Sequence, residues 1–206
     1  MVADLAFLPR FLRHPVDSFY ALRREGKGSA AAATILYAAL VGVRLGSLFL
    51  TPFLFGGVDL ARFSIVNEVA ILLVPLAMWV AANYLVAAIG GGEGRLRDVY
   101  AGTAYALAPF VLFSVPLALV SRALTLNEAF VVEFGGRILL VWSAVNLFLM
   151  AKEVHNFGVG ETVKNVLITL FAMAILALAA VVLYVLADQV REFVYAVAQE
   201  VRIRVR

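Results

Sequence analysis

Five long apolar runs dominate this 206-residue chain: 30–50, 65–89, 99–120, 129–151 and 163–187. A helix needs about 20 mostly apolar residues to cross the roughly 30 Å hydrocarbon core of a bilayer, and each run is that long. The alternative is a soluble all-α core, which requires helices with a polar face. Runs such as ITLFAMAILALAAVVLYVLA have none. Charged residues make up 15% of the chain and mean hydropathy is +0.96, whereas soluble domains carry about 25% charged residues. The reading is an all-α, polytopic membrane protein with five transmembrane helices and short amphipathic helices at its two ends.

Three regions follow: a cytoplasmic amphipathic lead-in (1–28), a five-helix transmembrane domain (29–187) and an amphipathic C-terminal helix or tail (188–206). The N-terminal MVADLAFLPRFLRHPVDSF does not read as a signal peptide, because Pro9, Arg10 and Arg13 break its apolar stretch. The first run is therefore expected to be its own insertion signal. The chain has no Cys, which excludes disulfides, thiolate metal sites and thiol redox chemistry.

Basic residues give the orientation, since Lys and Arg flanking spans stay on the cytoplasmic side. Arg10, Arg13, Arg23, Arg24 and Lys27 precede the first span. With the N-terminus inside, Arg95, Arg97, Lys152 and Lys164 also fall inside, against Arg62 and Arg122 outside. Arg191, Arg202, Arg204 and Arg206 in the tail run against this bias. Early segments dominate orientation, so the expectation is a multi-pass membrane protein, N-in and C-out.

Residues 15–25 read as a short interfacial helix. Pro15 suits its first position, and Arg23 and Arg24 are expected at lipid headgroups. Gly42-x-x-x-Gly46 in the first span permits close backbone approach, expected within the domain rather than between copies. Thr51-Pro52 ends that span, and the loop to Ser64 contains Gly56, Gly57 and Asp59. Pro75, Pro109 and Pro116 lie inside later spans and predict kinks. Beyond the fifth span, Val190, Phe193, Val194, Val197 and Val201 recur on one helical face. That segment is either an extension of the last helix or a helix lying on the surface.

Charges within the spans are few. Arg44, Glu68, Glu133 and Arg137 all fall in the same, outer half of the bilayer, and they sum to zero. An isolated charge in hydrocarbon costs at least about 2.5 kcal/mol, so such groups pair or line a wet cavity. Glu133 and Arg137 are spaced i,i+4 in the favourable order, which leaves Glu68 as the cross-helix partner of Arg44. The cluster is an interhelical ionic lock or a polar cavity open to the outside.

Other motifs carry no chemistry. Residues 90–94, Gly-Gly-Gly-Glu-Gly, lack the Lys-Ser/Thr and the preceding strand of a phosphate loop, and read as an inside turn. His14 and His155 have no clustered carboxylates with which to hold a metal. No nucleophile–base set or paired carboxylates stand out, and the scattered basic residues do not fit nucleic acid. No cofactor is expected.

The inside turn and third span contain Gly94, Gly102 and then Tyr105-Ala106-Leu107-Ala108-Pro109. This resembles the Yip family of multi-pass membrane proteins, whose members carry a Gly-containing turn and an aromatic–small–Leu–x–Pro element opening the third span. HPVDSFYALRREGKGS, WVAANYLV and Val154-His155-Asn156-Phe157 extend the likeness from about His14 onward. The resemblance implies five spans with a cytosolic N-terminus. Eukaryotic relatives act in vesicle trafficking and bind Rab GTPases through a long cytosolic region, and the short lead-in here does not carry that over. The compact form looks prokaryotic, so the resemblance implies the prokaryotic cytoplasmic membrane.

The leading expectation is a non-enzymatic integral membrane adaptor or scaffold, binding other membrane proteins or lipids in trafficking or transport-complex organisation. A second copy of the chain is a further candidate partner. The alternative is a small transporter or channel built on the outer-half polar cluster. A lipid-acting membrane enzyme ranks third.

Overall fold

The structure, a computed structural model, describes residues 8–26, 28–52, 55 and 63–204. Lys27, Gly56, Gly57, Asp59, Arg62 and Arg206 lie outside the described residues. The described elements are helices: α1 (Leu8–Arg13), α2 (Pro15–Arg24), α3 (Ala30–Leu50), α4 (Ile65–Ile89), α5 (Leu96–Ala106), α6 (Ala108–Val120), α7 (Ala129–His155) and α8 (Val159–Arg204). Short 3-10 turns at Ser121–Ala123 and Leu126–Glu128 join α6 to α7. Five stretches are long and apolar enough to cross a membrane: Ala30–Leu50, Ile65–Ile89, Leu96–Ala123, Leu126–His155 and Val159–Glu200.

Local chemistry sets the boundaries. The Ser29 and Ser64 side chains accept hydrogen bonds from the N–H groups of Ala32 and Asn67, capping α3 and α4. Asn156 adopts the left-handed conformation, with φ 60° and ψ 39°, and ends α7. Pro109 has no N–H to offer the Tyr105 carbonyl, and its ring crowds that oxygen. The third span breaks at Leu107, between α5 and α6. Pro75 and Pro116, also expected to kink their spans, sit inside uninterrupted helices.

The broken third span occupies the centre, touching α3, α4 and α7. Its first half is lined with small residues, and Ala101, Gly102, Ala104 and Ala106 are buried. α8 packs on α4 and α7, while α3 and α4 meet only sparsely and leave a lateral groove. α1 and α2 close the end of the bundle where α3 and α5 begin and α7 ends. Phe11 stacks on Tyr105 at 4.5 Å and meets Phe19 edge-on at 4.9 Å.

Three sequence expectations change here. The apolar face of α2 packs on protein rather than lipid, because Phe19 and Leu22 are buried in the core. Arg23, expected at headgroups, turns inward and keeps only 9% of its side chain exposed. Gly42 and Gly46 do not mediate close packing: nothing lies within 4 Å of where a Cβ would sit on either. Close approach falls instead at Gly94 and Gly102. A Cβ on Gly94 would stand 2.7 Å from Val154 Cγ1 and His155 Nδ1, and one on Gly102 would stand 2.6 Å from Met150 Cγ.

α8 runs unbroken for 46 residues, about 69 Å at 1.5 Å per residue. Residues 188–204 therefore take the first of their two expected forms, a continuation of the last helix. From 174 to 200 almost every side chain is exposed.

The glycine geometry predicts opposite outcomes at two sites. Gly42→Ala and Gly46→Ala should leave the thermal midpoint in detergent unchanged or raise it, since Ala favours a helix interior by roughly 0.5–1 kcal/mol. Gly94→Ala should destabilise by about 1–3 kcal/mol, as overpacking does. A drop for the first pair, or none for the last, contradicts the packing described.

Candidate functional site

The densest set of buried polar side chains lies near the α2 end, where three helices meet. His155 closes α7, Asn83 lies in the last third of α4, and Asn165 and Thr169 occupy adjacent turns of α8. All four are at most 5% exposed. Asn83 Nδ2 donates to Asn165 Oδ1 at 2.9 Å and to Thr169 Oγ1 at 3.4 Å. That arrangement turns Asn83 Oδ1 towards His155, 3.0 Å from Nε2. The carboxamide oxygen only accepts, so Nε2 carries the proton and donates. Nδ1 faces the Gly92 and Gly94 backbone.

A second layer lies just outside. Arg23 pairs with Glu93, Asn156 Nδ2 donates to Glu93 at 3.2 Å, and the Glu93 N–H donates to the His155 carbonyl at 3.3 Å. α2, the α4–α5 turn and the end of α7 are thereby tied together. Further into the third span, Asn146 Nδ2 donates to the Ala106 carbonyl at 3.4 Å, beside the helix break.

The four spanning charges lie at the opposite end. Arg44 donates to Glu68 at 3.1 Å, joining α3 to α4 in a half-buried pair. Arg137 and Glu133 stand 3.6 Å apart along α7 and are 76% and 71% exposed. Among the described residues no hydrogen bond or ion pair joins the two pairs. No cluster of three or more metal-ligating side chains occurs among the described residues.

The Yip1 domain family model matches residues 10–183. The chain belongs to the Yip family. No curated protein and no solved structure matches it.

The family-like residues fall on the packing joints of the α2 end. Gly94 holds its backbone against the His155 ring, Gly102 admits Met150, Tyr105 stacks on Phe11, and Pro109 opens α6. Sequence reasoning passed over Asn83, Asn165, Thr169 and the Arg23–Glu93 pair. A signal existed: Thr162, Asn165 and Thr169 recur at helical spacing in an apolar run, and all three are buried. The match of Asn165 and Thr169 to a single Asn on another span becomes visible only in three dimensions.

Two sets of variants test this geometry. Asn83→Ala and His155→Ala should each destabilise by about 1–3 kcal/mol, with the double variant costing well under their sum. Additive losses in detergent melts would deny the bond between them. Arg44→Ala, which strands Glu68, should cost about 1–3 kcal/mol, and Arg137→Ala less than about 0.5 kcal/mol. Equal losses would contradict the difference in burial.

Proposed function

We propose that this Yip-family membrane protein is a non-enzymatic adaptor that binds other membrane proteins or lipids through its surfaces. The observation that carries this reading is the exposed stretch of α8 from 174 to 200. About half of that helix extends past what a bilayer of roughly 30 Å requires, and so offers a docking face beyond the membrane. Val190, Phe193, Val194 and Val197 stay exposed there. The buried Asn83, Asn146, His155, Asn165 and Thr169 side chains are engaged in joining helices, which suits a structural role. Arg44–Glu68 and Glu133–Arg137 form separate pairs and offer the transporter alternative no shared site.

The compact Yip-type form supports the cytoplasmic membrane of a prokaryotic cell, and the positive-inside bias supports an orientation with the α2 end inside and the distal part of α8 outside. Because the chain has no Cys, single cysteines report topology cleanly. Arg13→Cys should react with an impermeant maleimide only after the cells are opened, and Gln199→Cys in intact cells. The opposite pattern reverses the orientation.

The adaptor reading is tested by a photo-crosslinking residue at Phe193 or Tyr195, compared with one at Leu178 within the bilayer. The distal positions should trap a reproducible protein, identified by mass spectrometry from native membranes. Lipid adducts alone at all three positions would sink the protein-docking part of the reading and leave only its lipid side.

A further inference from the structure

Two cavities share the first turn of α5. The first is polar, with a volume of about 590 Å³, and lies between α2 and the α4–α5 turn. Arg23, Arg24, Arg95 and Arg97 line it, together with Glu25, Glu93 and Asp98. The second is the apolar groove between α3 and α4, about 530 Å³, floored by Leu96 and Tyr100 of α5. Thr34, Tyr37, Val41 and Leu76 are among its walls. Arg95 and Arg97 face the polar cavity and Leu96, between them, faces the groove. One turn of helix therefore separates a cationic chamber from an apolar channel.

The acids of the chamber are partly occupied. Glu93 takes Arg23 and Asn156, and Asp98 accepts from the Arg95 backbone N–H at 3.3 Å. Among the described residues no carboxylate pairs with Arg24, Arg95 or Arg97. Arg23 Nη1 is buried and has no hydrogen-bond partner among the described residues. Guanidinium groups gathered in this way match the oxygens of a phosphate, which they bind in a fork.

The groove matches a different chemistry. It follows α3 from Thr34 to Val41, about 10 Å at 1.5 Å per residue, and opens sideways at the level of the spans. Its polar atoms are engaged at its rim: Tyr37 Oη donates to the Tyr100 carbonyl at 3.1 Å, and the Thr34 and Tyr100 hydroxyls stand 3.0 Å apart. Its volume falls within the roughly 300–1,000 Å³ of ligand pockets.

We infer that the first turn of α5 is a phospholipid site, with an anionic phospholipid phosphate held by Arg24, Arg95 and Arg97 and an acyl chain lying in the α3–α4 groove. The lipid comes from the leaflet at the α2 end. The site gives a ligand class to the lipid side of the adaptor reading, and rests on that reading.

The test uses the full chain in nanodiscs of equal parts phosphatidylcholine and phosphatidylglycerol, released for native mass spectrometry. The wild type should retain one phosphatidylglycerol in preference to phosphatidylcholine. Arg24→Gln/Arg97→Gln leaves the Arg23–Glu93 pair intact and changes only exposed side chains. It should cut that retention roughly thirtyfold, as expected for removing two charges near an anionic group. Ala38→Trp, which fills the groove, should cut it too. Melting curves confirm folding, and Arg24→Lys/Arg97→Lys supplies a variant that keeps the charge and should retain most of the lipid.

Equal retention of both lipids by the wild type, or unchanged retention in both the double Gln and the Trp variants, overturns the site. Loss with the Gln pair but not with Ala38→Trp reduces it to a headgroup or free-phosphate site and overturns the groove. Crosslinking from α8 is measured on the same proteins. Crosslinks without lipid retention sink the site and leave the adaptor reading standing, and the absence of both sinks the two together.

Discussion

Everything at the α2 end depends on how closely the start of the third span approaches the end of the fourth. Lipid tails are as apolar as Leu, so hydrophobicity gives two helices no reason to associate within a bilayer. What remains is van der Waals contact, which needs backbones brought near one another. Gly94 and Gly102 provide that contact against Val154, His155 and Met150, all buried. The two most apolar-looking candidates, Gly42 and Gly46, contribute nothing to it. The most and the least buried spans follow the same rule. The third span has a mean hydropathy of 1.9 and is the most buried, at 44%, while the fifth reaches 3.0 and is 6% buried. In this medium the centre of the fold is the span whose first half buries a run of small residues, and the greasiest helix faces outward.

Polar groups add direction to that packing. Once Gly94 lets the His155 ring lie against the turn, Nε2 is in reach of Asn83, and Asn83 in turn fixes Asn165 and Thr169. A buried amide in hydrocarbon that lacked these partners would cost several kcal/mol. The network therefore selects one rotation of α8 about its axis, a choice that its exposed distal half cannot make. The break at Leu107 has a similar logic. Pro109 leaves the neighbouring carbonyls short of donors, and Asn146 reaches Ala106 from the adjoining helix.

The five spans were legible because length and hydropathy are properties of contiguous sequence. The same holds for Pro15 at the start of α2. The pairing of Arg44 with Glu68 was legible for a different reason: with so few charges in the spans, each has few possible partners. The tertiary joints were not readable in this way. His155 looked like a flanking residue because its sequence neighbours are polar, and its burial depends on Gly92 and Gly94, more than sixty residues away. Arg23 looked like a headgroup contact because Glu93 is seventy residues distant. Pro75 and Pro109 carry the same local signal, yet only Pro109 breaks its helix, at the turn that brings Asn146 to Ala106.

The two ends of the bundle consequently differ in kind. At the α2 end, an aromatic stack, a hydrogen-bonded network and an ion pair link α2, α4, α5, α7 and α8. At the other end, α3 and α4 are held by Arg44 and Glu68, and the Arg122 side chain donates to the Leu50 carbonyl at 2.8 Å. Between these ends α3 and α4 stand apart, and the groove opens where no side chain bridges them. A bundle fixed tightly at one end tolerates a lateral opening beside it, because helix positions are already set by the joints below. That arrangement supports the proposed role, in which exposed surfaces meet partners.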